Sequence, residues 1–117
     1  MKIEGEGKLL RIFVGESDKI RSKPLFEAIV EKARELGLAG STVLRGIEGF
    51  GANSRIHTAK ILRLSEDLPI IIEIVDIDEK IKQALPVFEK MIDESNCGVL
   101  MTMERSVIIK YTHKKTE

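Results

Sequence analysis

The chain has 117 residues, enough for one domain with a buried core and too few for two. Nineteen Lys and Arg balance nineteen Asp and Glu, so the formal net charge is zero and the basic excess of a nucleic-acid binder is missing. Aromatic residues are few, too thin a supply for a base-stacking RNA-recognition sheet. The lone Cys97 excludes an internal disulfide and suits a reducing compartment.

No run approaches the ~20 apolar residues of a membrane helix, and no stretch near Met1 reads as a signal peptide, so a cytoplasmic location is expected. "KLLRIFVG", Lys8 to Gly15, is apolar and rich in strand formers, which predicts the first strand. "ESDKIRSKP" reads as a charged connection in which Ser22 is the N-cap and Pro24 stands near the first helical position. Leu25, Ile29, Ala33 and Leu36 recur at helical spacing, and Gly37 is the stop signal.

From Ser41, "STVLRGIEGF" predicts a strand broken by a bulge at Gly46 and Gly49. After a polar tip, "HTAKILRLS" reads as the returning strand, punctuated by "EDLP". "IIIEIVDI", from Ile70, is β-branched and apolar, as expected of a central strand buried on both faces or against a partner subunit. In "DEKIKQALPVFEKMIDES" the helical set is Ile81, Ala84, Leu85, Phe88 and Ile92, with Asp78 as cap and Pro86 as a kink or a late first-turn residue. The last strand runs from Gly98 to Tyr111 with a charged interruption at Glu104 and Arg105.

The order β-α-β-β-α-β predicts an α+β, ferredoxin-like sandwich, one domain over residues 1–117 with four antiparallel strands backed by two helices. Helices cover one sheet face. Alternate residues of "IIIEIV" and "VLMTM" make the other too apolar for water, and a closed homo-oligomer would bury it.

Few residues point to chemistry. Gly46, Gly49 and Gly51 are not a dinucleotide fingerprint, because no helix starts directly after them. They are either a bulged strand entering a hairpin or a rim of backbone amides able to hold an anion, with Ser54, Arg55 and Thr58 as added donors and Asn53 as donor or acceptor. His57, His113 and Cys97 lack the spacing of a metal site, so no metal is expected. No nucleophile elbow or Cys-His pairing is visible, so no enzymatic activity is expected. Glu73 interrupts "PIIIEIV" and belongs at an interface, a rim or a ligand, or at a polar-facing position of a half-exposed strand. Two alternatives remain on the same fold. One is a metal-binding trimer like the copper-tolerance relatives, using His57, Cys97 and His113. The other is an acylphosphatase-type hydrolase using Arg11 or Arg45 with Asn53.

Several stretches together resemble the PII signal-transduction family, and more closely its uncharacterised PII-like branch. "ARELGLAGSTV" resembles the end of that family's first helix and the start of its second strand. "GFGANSRIHT" is similar to the opening of its T-loop, and "EDLPIIIEIVD" to the segment leading into its third strand. The resemblance spans nearly the whole chain and implies a homotrimeric, non-catalytic regulatory protein with an adenine nucleotide, ADP or ATP, between subunits. It also implies a loop shown to a protein target, with a membrane transporter or channel as the candidate.

Carried onto this chain, the resemblance puts Gly46, Gly49, Phe50 and Gly51 at the cleft rim, Thr42 and Glu73 close by, and Val75 beside the adenine. Gly98 falls where the phosphate-wrapping loop ends, and Arg45, Arg55 and Lys110 are candidates for the phosphate charge. Residues Ala52, Asn53, Ser54, Arg55, His57 and Thr58 belong to the partner loop. The chain departs from the family at Ala52 and Asn53, where a basic residue and a glutamine stand, and at Val99, where a lysine stands. It also departs near Lys110, where paired arginines stand. The usual contacts to a triphosphate and to magnesium-held 2-oxoglutarate are therefore altered.

Overall fold

Burial along Pro69–Ile77 alternates strictly, and that alternation decides which side of the sheet is core. In the computed structural model, which describes residues 4–50 and 68–114, this strand is β5. Before it come β1 (Gly5–Gly15), β2 (Lys19–Ile20), β3 (Lys23–Pro24), α1 (Leu25–Glu35) and β4 (Thr42–Arg45). After it come α2 (Asp78–Ser95) and β6 (Leu100–Ile108). The antiparallel sheet has the order β4-β5-β1-β6. Each helix joins two strands that flank a third, the split βαβ arrangement of a ferredoxin-like sandwich.

Ile70, Ile72 and Ile74 lie beside Val14, Ile12 and Leu10 of β1 and are all buried beneath the helices. Leu25, Ile29 and Ala33 of α1 and Ile81, Ala84 and Phe88 of α2 close the core from above. β5 is therefore fully buried on one face, while Ile71, Glu73, Val75 and Ile77 on the other are half-buried. That second face also carries Leu9, Phe13, Leu44 and Leu100, the last two exposed at 44% and 55%. The second face is thus apolar in part, as expected, and also carries Arg11, Glu73, Thr102 and Glu104.

The connection from β1 to α1 is not a plain loop. Arg21 and Ser22 both have positive φ, 50° and 71°, and turn the chain between Ile20 and Lys23, which pair as a two-residue hairpin. This buries Ile20 in the core. Ser22 consequently is not the N-cap: Pro24 holds that position without a side-chain bond, and the Leu25 amide donates to the Asp18 carbonyl at 2.8 Å. Gly37 ends α1 as expected. Its φ of +77° lets its own amide reach the Arg34 carbonyl and the Leu38 amide reach Ala33, both at 3.1 Å, the paired bonds of a Schellman stop.

Three further expectations are corrected. β4 is short and regular from Thr42↔Glu73 to Arg45↔Ile70, with no bulge. Gly46 instead lies against Pro69, donating its amide to the Pro69 carbonyl at 2.7 Å, where an added Cβ would come within 2.8 Å of the proline ring. Asp78 is not the cap of α2 but its first residue, after Ile77, and Pro86 sits in the helix interior rather than its first turn. Glu104 and Arg105 do not interrupt β6, because cross-strand partners accept their charges: Arg11 Nη1 donates to Glu104 at 3.0 Å and Arg105 Nη2 to Glu6 at 3.0 Å. The returning strand expected at "HTAKILRLS" lies outside the described residues.

Asp78 ties α2 to the sheet. Lys82 Nζ stands 3.1 Å from Oδ2, and Lys8 Nζ of β1 stands 3.3 Å from Oδ1, an ion pair without aligned hydrogen-bond geometry. The hydrogen bond from Lys82, with support from Lys8, outweighs desolvation and holds the Asp78 carboxyl below its ordinary value.

Two outcomes follow from this packing. Phe88→Ala removes the largest fully buried side chain and costs about 3–5 kcal/mol in urea unfolding. Because the folded-state value of Asp78 is depressed, its contribution is present above the ordinary 3.8 and lost as pH falls through the folded value. Asp78→Asn lowers Tm at neutral pH and flattens its decline in acid, as a series of melts across pH will read.

Candidate functional site

Where α1 gives way to β4, one residue is gripped from two sides. The Ala39 amide donates to Asp76 Oδ2 at 2.9 Å, and the Ala39 carbonyl accepts from the Tyr111 hydroxyl at 2.9 Å. Asp76 is 2% exposed, and its other oxygen accepts from the Ile77 amide at 2.7 Å, so the buried carboxylate is matched by two donors. The grip joins the end of α1, the end of β5 and the segment after β6. It also fixes the start of β4, because Gly40 and Ser41 are all that separates Ala39 from Thr42.

Beside the grip opens a cleft of about 420 Å³, lined by Ala39, Gly40, Ser41, Thr42, Glu73, Val75, Ile108, Lys110 and Tyr111. Val75 and Ile108 make one part apolar, and Tyr111 lines the cleft with them. Ser41, Thr42, Glu73 and Lys110 supply polar groups. Glu73 is not a free charge there: Arg11, opposite it on β1, donates Nε to its Oε2 at 2.9 Å. Arg11 also reaches Glu104, and its guanidinium is held above its ordinary range, chiefly by the hydrogen bond to Glu73. An arginine bound by two carboxylates is poorly placed to serve as the free phosphate-binding group that a hydrolase would need.

A larger groove, about 760 Å³, lies between the helices over Ile20, Ala28, Pro86 and Met91. Its rim includes Arg21 paired with Glu94 and Lys23 paired with Glu31. None of the residues expected from the sequence lines it, so the smaller cleft is the better candidate despite its size.

The DUF190 family (Uncharacterized ACR, COG1993) matches residues 7–108. The chain belongs to this family. A UPF0166 protein of Aquifex aeolicus (strain VF5) is 44% identical over 78 residues, covering 67% of this chain and 74% of the relative. The UPF0166 protein MJ1524 of Methanocaldococcus jannaschii is 37% identical over 96 residues, covering 82% and 86%. Among solved structures, CPII of Thiomonas intermedia K12, bound to ADP, AMP and acetate, has a TM-score of 0.65 at 14% identity over 94% of each chain. A PII-like signalling protein of Thermus thermophilus has a TM-score of 0.63 at 19% identity over 93% of this chain and 94% of its own. At such identities the likeness is one of fold, and the fold is PII-like.

Of the site residues expected in this DUF190 chain, the structure brings Thr42, Glu73, Val75 and Lys110 together in the cleft. Arg45, Gly46, Gly49, Phe50 and Gly98 are not among its lining. Arg45 pairs with Glu16, Gly46 and Gly49 rest on Pro69, and Phe50 is 73% exposed. Gly98 lies between α2 and β6. Gly51 and the partner-loop residues Ala52, Asn53, Ser54, Arg55, His57 and Thr58 lie outside the described residues. Among the described residues no group of three His, Cys, Asp or Glu side chains could hold a metal ion, and no helix is long and apolar enough to cross a membrane. The cleft also holds residues that sequence reasoning passed over, Ala39 to Ser41 and Ile108, with Tyr111 read only as the end of the last strand. The "LAGST" stretch after a glycine helix stop was the available signal.

Asp76→Ala strips the acceptor from two backbone amides and is expected to cost about 2–4 kcal/mol in urea unfolding. Amide exchange at Ala39 to Thr42 should quicken in the variant. Unchanged exchange there would mean the segment is held without Asp76.

Proposed function

We propose that this protein is a non-catalytic PII-like regulator that binds an adenine nucleotide in the cleft beside Ala39 and presents residues 52–58 to a protein target. The supporting observation is the convergence of Thr42, Glu73, Val75 and Lys110, chosen from the sequence by family likeness, on one lined space with mixed chemistry. In this reading the base and ribose lie against Val75, Thr42 and the backbone of Gly40 and Ser41. Lys110 faces the phosphates, and Arg11 offsets the charge of Glu73, which would otherwise repel them. The binding of ADP and AMP by CPII is consistent with this choice of ligand.

The second face of the sheet supports a homotrimer in which three copies bury Phe13, Leu44, Ile71 and Leu100 against one another, leaving each cleft at a seam. Ligand bound at the seam would favour one arrangement of the loop over others, a population shift read by the target.

Calorimetry of the purified chain with ADP and ATP, alongside light scattering, tests both parts. Micromolar heat with ADP and a trimeric mass are expected, and Lys110→Ala should weaken ADP roughly 2- to 10-fold, between an exposed ion pair and a charged hydrogen bond. Absence of heat with either nucleotide would sink the ligand; a stable monomer would sink the seam.

A further inference from the structure

Among the described residues lining the cleft, Lys110 is the one cation. A lysine reads charge as a point cation, so selectivity among anions has to come from another part of the ligand. Tyr111 is the chain's only tyrosine, and its ring is fixed at two places. Its hydroxyl is anchored on the Ala39 carbonyl at 2.9 Å, and His113 meets the ring edge-on, with centroids 4.8 Å apart and planes at 88°. The hydroxyl is thus already satisfied, and Tyr111 lines the cleft with Val75 and Ile108.

We infer that Tyr111 is the platform on which the ligand's planar heteroaromatic base stacks, and so the residue that separates nucleotides from plain phosphates. The inference rests on the nucleotide reading above and names the group that recognises the base. A base offers a π face to the ring and polar edges to Ser41 and Thr42, a combination that neither an inorganic anion nor an aliphatic carboxylate possesses. The anchor on Ala39 leaves little side-chain freedom to be lost on binding. Lys110, the adjoining residue, serves the phosphate end of the same ligand.

The chain has no tryptophan, so its tyrosine emission reports on this one ring. ADP should quench that emission saturably, and pyrophosphate should not. In calorimetry Tyr111→Leu should raise the Kd for ADP roughly 5- to 100-fold, the span of one base-aromatic stack, without changing that for pyrophosphate. Tyr111→Phe keeps the ring and should retain most of the discrimination. If ADP binds the wild type and Tyr111→Leu equally and leaves the emission unaltered, the platform is wrong and the nucleotide reading survives. If ADP gives no heat with the wild type, the nucleotide reading fails and the platform falls with it. Should Tyr111→Leu not fold, the wild-type titration decides: bound ADP without quenching overturns the inference.

Discussion

Arg11 stands opposite Glu73, and Ile12 opposite Ile72, because β1 and β5 pair in one register out of several that two long strands permit. A slip of one residue would send Arg11 under the helices and turn the isoleucines outward, since side chains alternate with period two. Burying an unpaired guanidinium and exposing that apolar row are both costly, so the wrong registers are suppressed from either side. Thr42 then falls beside Glu73 on the other flank of β5, and Val75 two residues further along the same face. The lining of the cleft is a consequence of that pairing as much as of any local motif.

The grip on Ala39 works at longer range. Its three contributors, α1's end, β5's end and the segment after β6, are distant in the chain and meet only when the sheet is complete. Among the described residues the buried Asp76 carboxylate is satisfied by main-chain amides, which tie its position to backbone geometry. A wall held that way keeps its shape before any ligand arrives, which limits what binding has to order.

The ferredoxin-like order was legible because the periods are clean: helical spacing at Leu25, Ile29 and Ala33, near-continuous β-branching in β5, and a glycine stop at Gly37. The β2–β3 hairpin was not, since Arg21 and Ser22 carry none of the glycine or asparagine that advertises left-handed backbone. Gly46 signalled a special position, but the reason is an approach to Pro69, a contact sequence spacing does not encode. Glu104 and Arg105 looked like a break only because their partners, Arg11 and Glu6, lie at the other end of the chain. Half the candidate cleft was visible through family likeness; Tyr111 escaped as a site residue because nothing local to it predicts a bond to Ala39.

Arg45 and Ile70 are partners in the ladder, so the end of β4 and the start of β5 stand side by side, about 4.8 Å apart across the strands. The Gly46–Pro69 bond extends that pairing by one step, so the end of β4 and the start of β5 are held to each other. A side chain at Gly46 would press on the Pro69 ring and so loosen the ends of both strands together.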